Sequence, residues 1–178
     1  MLYQASMKNI SILKSNSHLP LLTLVTSNQN LQDVLKSSID SQRYQLLTAN
    51  TASEGLELIS GHPQTADAKK TDVAKIALVD LILEDMDGLS FIEELRARHR
   101  GLHIIAIMCK KELAAIDMTA ESITLMASQC GANAVFTAPF NLAELLATID
   151  RFLETSAAAD SAIAAKTVSE TTLTKETA

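Results

Sequence analysis

The chain has 178 residues, 47% hydrophobic and 20% charged, with 4 Phe, 2 Tyr and no Trp. That is room for one aliphatic core with tails and too little for two full domains. A formal net charge of −6, with no segment clustering Lys and Arg, argues against nucleic acid or an anionic membrane as the partner.

Residues 1–18 are mixed and Ser/Asn-rich, and read as a loosely held leader. Leu21 to Val25 is an apolar run that predicts a first strand. Thr26-Ser27-Asn28 then breaks the run and offers a helix cap, and Leu31, Val34, Leu35 and Ile39 follow at helical spacing. Tyr44 to Ala49 predicts a weaker, partly polar strand suited to a sheet edge. Ser53 to Ile59 begins a short second helix that Gly61-His62-Pro63 stops. Residues 64–75 are polar and aperiodic, which predicts a surface insertion.

Ile76 to Val79 is an unbroken apolar run ending in Asp80, the pattern of a strand buried on both faces. A carboxylate there lies where open α/β sheets gather ligands and chemistry, beyond the carboxyl ends of the strands. Gly88 opens a third helix marked by Leu89, Ile92 and Leu95, with basic residues near its end at His99-Arg100-Gly101. Ile104 to Met108 predicts a fourth strand. A helix over about 116–130 follows, and Gly131 is placed to end it. On that helix Met118 and Leu125 fall opposite the face of Ile123 and Ala127, which marks a candidate partner surface. Ala134 to Phe136 is a short fifth strand interrupted by Pro139. Asn141 with Glu144 resembles a capping box, and Leu142, Leu145, Leu146, Ile149, Phe152 and Leu153 stripe a final helix. Residues 155–178 are polar and read as a flexible tail.

Five alternations of strand and helix with short connections specify an α/β fold, a doubly wound five-stranded parallel sheet with right-handed crossovers, over residues 19–154. Thr26-Ser27-Asn28-Gln29 after the first strand is no glycine-rich phosphate loop, which argues against a nucleotide or flavin binder. Cys109 and Cys130 are far apart in apolar surroundings, neither a disulfide framework nor a metal knuckle. Cys109 has no activating His in a motif, and the four histidines, His18, His62, His99 and His103, share no ligand spacing. With no 18-residue apolar run and no signal-like start, the expected location is the cytoplasm.

The stretch Asp80 to Gly88, ending Met86-Asp87-Gly88, together with Gly131-Ala132, the short fifth strand and Pro139-Phe140, resembles the receiver domain of two-component response regulators over about residues 21–153. The resemblance implies the strand order 2-1-3-4-5, the order the general rule for such sheets illustrates with a member of this family. It also implies a phosphate-accepting aspartate at Asp80. Several of the family's other groups are replaced. The acidic pair that holds a divalent metal is matched by Thr26 and Ser27. The Thr or Ser ending the fourth strand is matched by Met108, with Cys109 next. The Lys before the proline is matched by Ala138, and the aromatic switch residue by Val135, with Phe136 adjacent.

Phosphoryl transfer to a carboxylate depends on metal and cationic groups to neutralise developing charge. Two unit charges about 4 Å apart interact by roughly 4 kcal/mol at an effective dielectric of about 20, about three decades in rate if uncompensated. Glu84 and Asp85 in the following loop are the candidate replacement ligands. The expected function is a stand-alone receiver in phosphorelay signalling, not an enzyme, served by a histidine kinase or phosphotransfer protein. The alternative is a phosphorylation-independent pseudo-receiver that contacts another signalling protein. No cofactor is expected, with magnesium only where Asp80 is phosphorylated.

Overall fold

The computed structural model describes residues 19–61, 74–109 and 118–156. Five strands run β1 (Leu21–Val25), β2 (Gln45–Ala49), β3 (Ile76–Asp80), β4 (His103–Cys109) and β5 (Ala134–Ala138). The helices are α1 (Gln29–Ser38), α2 (Ala52–Ile59), α3 (Gly88–Arg98), α4 (Ala120–Cys130) and α5 (142–156). All strands pair in parallel in the order β2-β1-β3-β4-β5, the doubly wound arrangement that the alternation predicts.

Side chains alternate across each strand, so the sheet divides the core into two layers. Val25, Val79, Ala106 and Met108 face Ile59, Phe91, Ile92, Leu95, Ile123 and Ala127 of α2, α3 and α4. Leu22, Leu24, Leu78, Ile105 and Ile107 face Leu35 of α1 and Leu145 and Ile149 of α5. β1 and β3 are buried along their whole length, whereas edge strand β2 is partly exposed, as its polar composition requires.

The helix boundaries follow capping chemistry. Asn28, Thr51, Asp87 and Thr119 each accept a backbone N–H of the helix they start. Asn141 does the same for α5, accepting from the Ala143 amide. Gly131 ends α4 at φ 111°, a conformation that favours glycine. The Arg96 guanidinium spreads over the carbonyls of Gly131 and Leu102 and the Asn133 side chain, stapling α3 to the loop before β5.

Four predicted boundaries change. α4 starts at Ala120, because the Thr119 hydroxyl caps it, so Met118 precedes the helix and packs against the core and does not share a surface with Leu125. Residues 64–73 of the predicted insertion lie outside the described residues, but Ala74 and Lys75 belong to the fold. Ala74 is buried, and the Lys75 amide donates to the Leu21 carbonyl. β5 continues past Phe136 to Ala138, held in register by Met108 and Cys109. α5 runs on to 156, past the predicted start of the tail. The leader and residues 157–178 lie outside the described residues.

Candidate functional site

The carboxyl ends of β1, β3, β4 and β5 converge around Asp80. Its side chain continues the Ile76 and Leu78 row, on the α1 and α5 side, and its backbone pairs with Ile107. The residue is 4% exposed, so its carboxylate needs hydrogen bonds within the protein. The Thr26 hydroxyl donates to Asp80 Oδ2 at 2.5 Å, and the Ile82 amide donates to Oδ1 at 3.1 Å. The second contact is the aspartate's own turn two residues on, the local bond expected of an Asp at a strand end.

Thr26 is itself held firmly. Its amide donates to the Ala49 carbonyl, its hydroxyl accepts from the Asn28 amide, and its carbonyl accepts from Gln32 Nε2 at 2.8 Å. Gln32 also donates to Asn50 Oδ1. This buried polar residue on α1 escaped the sequence reading. The signal was present, since Gln32, Leu35 and Ile39 are spaced as one buried helical face. Ser27, the other residue in the acidic-pair position, is half-buried.

The candidate replacement ligands are not gathered at Asp80. The Asp85 carboxylate accepts from the Ala52 and Ser53 amides and the Ser53 hydroxyl, which places it on the amino end of α2 and pulls its pKa down. Glu84 is exposed in the same loop. A hard divalent cation wants six or more oxygens, with carboxylates prominent among them. Neutral hydroxyls at Thr26 and Ser27, and an Asp85 already engaged, do not fit that set. Among the described residues no group of three or more His, Cys, Asp or Glu is arranged to hold a metal.

On the far side of the cleft, Met108 turns into the core layer under α2 to α4, while Cys109 lines the space beside Asp80 and pairs with Ala138. Alternation across β4 decides this, and Cys109 rather than Met108 is the side chain that reaches the cleft. Ala138 contributes a single methyl group where the resemblance places a lysine. Val135 packs under α4, whereas Phe136 lies on the opposite face, edge-on to Phe140 with ring centroids 5.7 Å apart.

Behind the site, Gly88 packs so closely that a Cβ would stand 2.5 Å from Leu81 Cα and 2.7 Å from the Asp80 carbonyl oxygen. His99 and His103 sit at the opposite end of the sheet, His103 stacked on Phe152 at 4.6 Å, and burial lowers the pKa of both. His18 and His62 lie outside the described residues. Among the described residues no helix is long and apolar enough to cross a membrane.

Residues 22–150 match the family model of the response regulator receiver domain. The transcriptional regulatory protein KdpE of Staphylococcus aureus is 28% identical over 128 residues, 72% of this chain and 47% of KdpE. The chain thus spans about half the length of that curated relative. A CheY-like receiver domain protein from Methanospirillum hungatei superposes with a TM-score of 0.61 at 22% identity, covering 78% of this chain and 97% of that one. The receiver domain of NtrX from Brucella abortus gives 0.60 at 19% identity, covering 75% and 98%. With strand order, fold and family model in agreement, the chain belongs to the response regulator receiver domain family of two-component signalling.

Proposed function

We propose that this receiver domain signals through protein contact without requiring phosphoryl transfer to Asp80. The observation that carries the reading is the 2.5 Å hydrogen bond from Thr26 to Asp80. A neutral donor occupies the place of an acidic metal ligand, and the carboxylate is used to tie the end of β1 to the end of β3. Ala138 brings no cation to the cleft, so charge developing on a phosphoryl group would find little compensation from these positions. In this reading Asp80 is a structural anchor at the phosphoacceptor position, and magnesium has no role unless Asp80 is phosphorylated.

The partner is another signalling protein, such as a histidine kinase or phosphotransfer protein that docks without transferring phosphate. Exposed Leu125 and Met126 on α4 are the surface we assign to such contact. A reducing cytoplasm suits the two half-buried thiols, Cys109 and Cys130, which form no disulfide.

The test is intact-mass analysis after incubation with a small phosphodonor and magnesium, and separately with a phosphorylated phosphotransfer domain, for the wild type and Asp80→Asn. No adduct in either is expected. A single phosphoryl group on the wild type that Asp80→Asn cannot accept would return the chain to the phosphorelay reading.

A further inference from the structure

The bond from Thr26 to Asp80 is the inner end of a longer hydrogen-bonded relay. Among the described residues four polar side chains are buried, Thr23, Thr26, Gln32 and Asp80, and three of them stand in this relay. The Lys36 ammonium, on the exposed face of α1, donates to Gln32 Oε1 at 3.0 Å. Gln32 Nε2 donates to the Thr26 carbonyl at 2.8 Å and to Asn50 Oδ1 at 2.8 Å. The Thr26 hydroxyl then donates to Asp80. A buried amide demands partners for both of its ends, and these partners leave no choice of orientation. A carbonyl can only accept and an ammonium can only donate, so Nε2 must face Thr26 and Oε1 must face Lys36. The Asn28 amide uses the Thr26 hydroxyl as an acceptor, which turns the hydroxyl proton toward Asp80.

We propose that Gln32 couples Asp80 to the surface of α1: it positions Thr26 for the bond to Asp80, and Lys36 positions Gln32. Resting on the same Thr26–Asp80 bond as the contact reading, the relay gives the buried aspartate a route to a helix face within reach of a partner. Lys36 lies one turn beyond Gln32, at the four-residue spacing that brings helical side chains together. Gln32 shares the buried face of Leu35 and Ile39, so its amide stands between the solvent and the end of β1. Because Nε2 is shared between Thr26 and Asn50, a turn of the amide alters the hold on the Thr26 peptide. That same residue carries the hydroxyl bonded to Asp80. Successive hydrogen bonds polarise one another, and Lys36, Gln32 and Thr26 all donate in the direction of the carboxylate. Coupling between two sites is reciprocal, so a change at Asp80 alters the hold of Lys36 on Gln32 by the same free energy. An acidic group docked on α1 that draws the Lys36 ammonium off Gln32 is thereby felt at Asp80.

The test reads backbone and side-chain amide chemical shifts of the full chain in the wild type, Lys36→Met, Asp80→Asn and Gln32→Met. Lys36→Met keeps an apolar stem and removes the ammonium. A solvated helical lysine without this role would perturb only the neighbouring turns of α1. Lys36→Met should instead shift the Gln32 side-chain NH2 pair, the Thr26 amide and the Ile82 amide, which donates to the other Asp80 oxygen. Asp80→Asn should move the Gln32 NH2 pair in return. Gln32→Met keeps the side-chain length and removes its hydrogen-bonding atoms, and in that background Lys36→Met should no longer reach Ile82. Thr26 and Ile82 unmoved by Lys36→Met, a Gln32 pair indifferent to Asp80→Asn, or the same Ile82 shift persisting in Gln32→Met would each overturn the proposal. Should Gln32→Met fail to fold, Lys36→Met and Asp80→Asn decide the coupling from its two ends. The shifts are read without a phosphodonor, so their failure leaves the phosphotransfer result untouched.

Discussion

Thr26 shows how one side chain changes what a strand-end aspartate does. Its hydroxyl pairs Asp80 without adding charge, so the buried carboxylate is satisfied in the absence of metal. Thr26→Asp would set two carboxylates side by side, a repulsion of roughly 4 kcal/mol at about 4 Å and an effective dielectric of about 20. We expect this variant to melt lower than the wild type in metal-free buffer and to regain stability with magnesium, while magnesium leaves the wild type unmoved. Thermal melts with and without the ion decide it, and a variant indifferent to magnesium would mean that the remaining ligands are out of reach. Gly88 is constrained by space. A Cβ 2.5 Å from Leu81 Cα meets backbone, which cannot swing aside. Gly88→Ala should cost about 1–3 kcal/mol, the usual range for overpacking, measured by urea unfolding at unchanged slope. Wild-type stability in that variant would show that the β3–α3 turn yields more easily than its packing implies.

At the scale of elements, the loop after β3 serves α2 as well as α3. Asp87 caps α3 through Ser90, and Asp85 accepts from the first amides of α2. Because those amides favour the charged form, Asp85 has a lower pKa folded than unfolded. Its contribution is present above the ordinary value of 3.8, shrinks as pH falls through it, and is gone below the lowered folded value. Asp85→Asn should therefore melt below the wild type at neutral pH, with the gap closing in acid below 3.8. A gap that persists unchanged in acid would assign the loss to packing. His103 has a linkage of the same sign, at higher pH and from a different cause. Burial lowers its pKa from 6.5, so the unfolded chain takes up the proton first and stability falls as pH drops below that value. His103→Phe, which keeps the stack on Phe152, should flatten this part of the stability profile measured by pH-dependent melting. A profile as steep as that of the wild type would place the titration elsewhere.

Across the whole molecule, the sheet separates a layer under α2, α3 and α4 from one under α1 and α5, and the Asp80 cleft opens on the second. The exposed apolar surface of α4 belongs to the first. Leu125 is 61% exposed and Met126 40%, against a fully buried Ala127. Leu125→Glu should leave stability within about 0.5 kcal/mol, as surface substitutions do. If α4 is the contact surface, the variant loses a partner that the wild type retains in a pull-down with histidine kinases. Undiminished capture would move the interface off α4.

The order of elements was legible in the chain itself, because buried strands demand unbroken apolar runs and helices a 3.6-residue repeat. Leu21–Val25, Ile76–Asp80 and the stripe from Leu142 to Leu153 carry those signals without ambiguity. Asp80 was legible for the same reason, a charge ending an apolar run. The start of α4 was not, since the apolar spacing continues upstream of Thr119 and only the cap marks the end. Nor were the bonds from Thr26 to Asp80, 54 residues apart, or from Ala52 to Asp85, 33 apart. Periodicity reports which face of an element is buried. Which side chains meet across the ends of four strands depends on register and on strand alternation. Those turned Cys109 into the cleft and Met108 away from it, and only the assembled sheet decides them.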